Sequence, residues 1–83
     1  SMFREMALTS QLYDLSAREI LRMATVNGAE IAGIDGGVVE TGQPARLCVL
    51  DGDSDNLCGV YDPVRAVVRR AETADVEQVV LAG

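Results

Sequence analysis

The seven aspartates hold most of the chemistry this sequence could perform. Asp51, Asp53 and Asp55 alternate along the chain, and Asp62 follows them before a proline. Hard cations take oxygen ligands, and a helix-loop-helix calcium site draws them from alternate positions of a loop that closes on a bidentate Glu. The spacing therefore admits a calcium loop made of Asp51, Asp53, Asp55 and Asp62. Three features weigh against it. Asn56 stands where such a loop turns on glycine, Asp62 is shorter than the closing Glu, and the segment entering the loop reads as a strand. A solvated surface loop is the favoured reading, and no metal site is assigned.

Other chemistries lack partners. Metal-activated water needs ligands such as histidine, and the chain has no His. Ser10, Ser16 and Ser54 have no base to activate them, and no G-x-S-x-G is present. Cys48 and Cys58 form neither a C-x-x-C pair nor a Cys-His couple. Cys48, inside the run LCVL, reads as a small buried hydrophobe. Asp35-Gly36-Gly37 is a turn and not a phosphate loop, because no Lys-Ser/Thr follows it. Asp75 opens a strand. No catalytic or cofactor-binding residue is assigned.

The elements that hold these residues read from pattern. Ser16 precedes Glu19 by three residues, the spacing of a capping box. Ile20, Leu21, Ala24, Gly28, Ile31 and Ala32 then make an apolar stripe at helical period, predicting one helix from Ser16 to Ala32 that Gly33 stops. Gly28 within that helix implies that another backbone approaches closely. Asn27 is expected to bond a neighbouring carbonyl or to cap a nearby element. An earlier helix over Phe3–Tyr13 follows from Phe3, Met6, Ala7 and Leu8. Val38–Glu40 and Arg46–Asp51 read as strands that pair as a hairpin across the Pro44 turn. Asp62 and Pro63 open a third helix as N-cap and first residue, with Val64, Val67, Val68 and Ala71 inward and Arg65, Arg69 and Arg70 facing water. Val76–Leu81 is the last strand.

The expected fold is thus α+β: two N-terminal helices, a short β-hairpin, a third helix and a C-terminal strand. Ser1 and Met2 read as a carry-over from cloning. Residues 3–35 form a helical segment and residues 36–83 a small β-rich one. With 83 residues, there is room for one small, marginal domain. The net charge is −6, and all seven bases are Arg. No basic run points to nucleic acid or to an anionic membrane, and no apolar run reaches spanning length. The expected location is the cytoplasm, with both thiols free.

Four stretches carry a resemblance: ILRMATVNGAEIAGID, GVVETGQPARLCVLDGDSDN, DPVRAVVRRA and DVEQVVLAG. In this order and spacing they resemble the C-terminal end of the metal-dependent amidohydrolase superfamily, in its cytosine deaminase and chlorohydrolase-like branch. The Thr25-x-Asn27-Gly28-Ala29 element is the strongest marker, and Arg46 departs from the Asp usual before that strand. The resemblance implies that residues 3–35 supply the last helices of a β/α barrel and that residues 36–83 form part of a composite β-domain beside it. It implies a parent that hydrolyses C–N or C–Cl bonds of heterocycles with water activated by a divalent metal such as zinc or iron. The ligands would lie upstream, and the isolated chain would be inactive. The partners implied are the remainder of the barrel and, through faces left uncovered, a second copy of the chain. A small acidic interaction module, binding calcium through residues 51–62, is the alternative.

Overall fold

The computed structural model describes residues 1–34, 36–43, 46–59 and 61–81. Four helices, α1 (Met2–Leu12), α2 (Ala17–Ala24), α3 (Val26–Ala32) and α4 (Pro63–Arg70), accompany two strands, β1 (Arg46–Leu50) and β2 (Val76–Leu81). The α+β expectation holds. A 3₁₀ turn at Thr73–Asp75 leads into β2.

The helix starts follow the sequence signals. Ser16 Oγ accepts from the Glu19 amide at 3.1 Å, and the Glu19 carboxylate accepts from the Ser16 amide at 3.4 Å, completing the capping box. Asp62 accepts from the Arg65 amide at 3.2 Å, with Pro63 at the first helical position of α4. Helix α1 begins at Met2, and Ser1 Oγ accepts from the Arg4 amide. Gly33 ends α3 in the left-handed conformation at φ 69°, where a Cβ would be strained.

The single helix expected over Ser16–Ala32 is two helices. Thr25 Oγ1 donates to the Leu21 carbonyl at 2.8 Å, occupying the acceptor its own amide would use in an unbroken helix. The Thr25 amide turns to Arg22 instead, and the backbone breaks at φ −122°, ψ −86°. The close backbone approach expected at Gly28 occurs at Gly37. A Cβ on Gly37 would lie 2.8 Å from the Thr25 carbonyl, whereas one on Gly28 would meet only the Met23 carbonyl, at 3.3 Å. The break redirects the stripe, so Ile31 is 88% exposed instead of inward.

The hairpin is also corrected. No strand forms at 38–40, and β1 pairs antiparallel with β2, in register Arg46↔Leu81 to Val49↔Gln78 with an irregularity at Leu50. Three residues beside two glycines cannot compete with a six-residue strand for the β1 edge. The Pro44 turn lies outside the described residues.

The buried residues fall in two joined clusters. Met6, Ile20 and Val68 lock α1, α2 and α4 together, and Leu57, Ala66 and Ala71 seat the 51–59 loop on α4. Phe3 packs against both. The sheet receives little cover. Cys48, expected inside, is exposed, because a two-stranded ribbon shows its backs to solvent unless another layer packs on it.

Candidate functional site

The loop that could have held calcium is organised around a different residue. Asp75 is 4% exposed, the one buried charged group among the described residues. Its carboxylate accepts from the Glu72 amide at 2.8 Å and from Asn56 Nδ2 at 3.0 Å. Its carbonyl accepts from the Asp51 amide at 2.8 Å. One residue therefore ties the start and the middle of the acidic loop to the start of β2. The Asp75 carboxyl is held below the usual carboxylate range, first by the Glu72 amide and then by the neighbouring Ser54 hydroxyl and Asn56, against the opposing pull of burial. Ser54 Oγ is buried, and among the described residues no partner lies within hydrogen-bond geometry of it.

The aspartates whose spacing admits a calcium loop are in no metal-ligand cluster among the described residues. Asp51 Oδ1 accepts from the Asp53 amide at 2.9 Å, closing a local turn. Asp62 caps α4. Asp53 and Asp55 are exposed. Among the described residues no group of three or more His, Cys, Asp or Glu could hold a metal ion. The donor set does not fit the zinc or iron centre that the resemblance implies for its parent. Nor is the loop simply solvated, because Leu57 is buried and Asn56 points inward to Asp75. Sequence reading took Asn56 as a defect in a calcium pattern. Its pairing with a residue nineteen positions away is a tertiary contact, and only the Glu72-x-x-Asp75 spacing, that of a second reciprocal cap, hinted at it.

Folding also gathers arginines that are dispersed in sequence. Arg4, from the first turn of α1, faces Arg69 and Arg70, from the last turn of α4, across a groove of about 620 Å³. Arg69 and Arg70 also line a neighbouring hollow with Arg65 and the exposed ring of Tyr61. Arg18 borders a third with Arg65 and Arg69. Five of the seven arginines thus border three adjoining hollows, two of which Asp62 also lines. Among the described residues, the guanidiniums of Arg4, Arg69 and Arg70 make no ion pair or hydrogen bond.

The capped helix pair, the acidic loop and the closing helix-strand unit occur together because the chain belongs to the amidohydrolase family, matching it over residues 1–83. Among its relatives is the 5-methylthioadenosine/S-adenosylhomocysteine deaminase of Acetivibrio thermocellus, 39% identical over 100% of this chain and 22% of that protein. The 5'-deoxyadenosine deaminase of Methanosarcina mazei is 32% identical over 99% of the chain and 21% of its own length. The 5-methylthioadenosine/S-adenosylhomocysteine deaminase of Haloarcula marismortui is 33% identical over the same shares. The chain spans about a fifth of the length of these relatives. No solved structure matches it. Among the described residues no helix is long and apolar enough to cross a membrane.

Proposed function

We propose that this chain is a non-catalytic part of a deaminase that acts on an adenosine carrying a modified 5' position. The observation that carries the reading is the match of the whole chain to deaminases whose names share that substrate feature. In such a reaction water replaces the exocyclic amine of the adenine, a carbonyl forms and ammonia leaves. Activating the water is work for a divalent metal held by other segments, since this chain has no histidine and its described residues offer no clustered carboxylates for it. The segment's own task is architectural. Its capped helices pack as one unit through Met6, Ile20 and Val68, while Ile31 of α3, Ile34 and Val39 after it, and Val79 and Leu81 of the ribbon are exposed. We propose that these meet the remainder of the protein, and that the isolated chain associates with itself through them.

The test is expression of the chain with its upstream reading frame, beside the 83-residue chain alone. Ammonia release is followed with 5'-methylthioadenosine and 5'-deoxyadenosine. The longer protein releases ammonia and the short chain does not. Chloride release from a chlorinated heterocycle, with no turnover of either nucleoside, would place the parent in the chlorohydrolase-like branch instead. Stoichiometric zinc binding with turnover by the short chain would overturn the non-catalytic role.

A further inference from the structure

We propose that the groove between the start of α1 and the end of α4 binds a small phosphorylated anion through Arg4, Arg69 and Arg70. The case rests on an electrostatic imbalance. The chain carries a net charge of −6, yet three guanidiniums line one groove and, among the described residues, no carboxylate is bonded to any of them. Arg69 and Arg70 have a local reason to be there, because cations favour the last turn of a helix. Arg4 has none. It stands in the first turn of α1, where the helix dipole disfavours a cation, and it faces two more positive charges. An anion in the groove would balance the positive charge that these three side chains bring to it.

The chemistry of the lining narrows the class. Guanidinium groups present planar forks of donors that match phosphate oxygens in pairs. Thr73 adds a hydroxyl at the same wall, and Glu72 borders it as the one acidic side chain in the lining. A groove of about 620 Å³ accommodates a pyrophosphate or a nucleotide. The groove shares its Glu72 wall with the Asp75 clamp, and the proposal does not depend on the deaminase reading.

Calorimetric titration of the 83-residue chain with inorganic pyrophosphate tests this. Saturable binding at one site is expected, weakening steeply as salt rises. Arg4→Ala and Arg69→Ala each lower the affinity about tenfold, the loss of one charge-assisted contact. Arg22→Ala removes the same charge from an exposed position outside the groove and changes affinity less than about twofold. Circular dichroism shows that all three variants keep the helices. A parallel readout is thermal unfolding, which pyrophosphate shifts upward in the wild type only if it binds the folded chain. Absence of saturable heat and of any thermal shift overturns the proposal. So does an Arg22→Ala loss equal to that of Arg4→Ala, which would mean a diffuse charge effect. Preferential binding of an oligo-aspartate peptide over pyrophosphate would replace the phosphate ligand with an acidic polypeptide.

Discussion

Replacing Val68 by Ala tests whether the three-helix unit depends on one contact. Val68 is fully buried, at 0% exposure, and packs with Met6 of α1 and Ile20 of α2. The substitution removes two methyl groups, about 1.6 kcal/mol of transfer free energy at about 0.8 per group. The pocket cannot close, because capped helices hold Met6 and Ile20 in place, so a cavity penalty adds to the transfer loss. Together they give about 2–3 kcal/mol. A domain of 83 residues is stable by only about 4–12 kcal/mol. The melting temperature therefore falls by roughly 10–20 °C. Urea unfolding followed by circular dichroism is the assay, read as a lower midpoint at unchanged slope. Val79→Ala is the control. Val79 is 58% exposed on β2, and its loss stays within about 0.5 kcal/mol. If Val68→Ala cost no more than Val79→Ala, the helices would not be joined through this residue, and the core described above would be wrong.

Three further outcomes follow from particular contacts. The folded Asp75 binds its proton less readily than the unfolded chain, so its stabilisation is complete above the ordinary value of 3.8 and drains away as pH falls below it toward the lower folded value. Urea midpoints measured from pH 5 down to pH 2 should show that decline in the wild type and a flatter one in Asp75→Asn; identical profiles would refute the assignment. Gly37→Ala must place a Cβ 2.8 Å from the Thr25 carbonyl at a φ of 82°, costing at least about 1–2 kcal/mol in chemical denaturation, while Gly52→Ala, with open space around it, leaves the midpoint within about 0.5 kcal/mol. Calcium at millimolar concentration should give no saturable heat, because Asp51 and Asp62 already accept backbone amides; a one-to-one isotherm would restore the calcium loop.

Signals that are local in the chain were legible, and signals that arise between distant residues were not. The Ser16–Glu19 box, the Asp62-Pro63 start and the Gly33 stop each satisfy orphan backbone groups from within a few residues, so type and spacing suffice to read them. Thr25 defeats the same reading. Its hydroxyl competes with its amide for one carbonyl, and an apolar stripe counted at helical period does not register that competition. The choice of β2 over residues 38–40 as the partner of β1 is a contest between two pairings, decided by strand length and by the turn that Asp75 anchors. The arginine-bordered hollows were invisible for a related reason, because Arg4, Arg18 and Arg65–Arg70 belong to three helices whose packing alone makes them neighbours.

Two features of the segment have opposite physical signs, and together they bear on its proposed role. The 51–59 loop is fixed tightly: Leu57 is buried, and Asp75 takes one bond from Asn56 and another from the Asp51 amide. Ordering nine loop residues costs backbone entropy, and here those bonds are set against that cost beside a core of only six buried apolar side chains among the described residues. The ribbon, in contrast, is left with one partner strand and exposed Val79 and Leu81, although a two-stranded sheet is marginal alone. A chain under selection to be stable in isolation would cover the ribbon before it clamped the loop. A segment whose ribbon is completed by other parts of a larger protein would do the reverse, and would need the clamp to hold β2 in register with β1 for that contact. Breaking the clamp with Asn56→Ala should therefore impair assembly of the longer protein more than it lowers the unfolding midpoint of the 83-residue chain. Equal effects on the two would show that the clamp serves the segment's own stability alone.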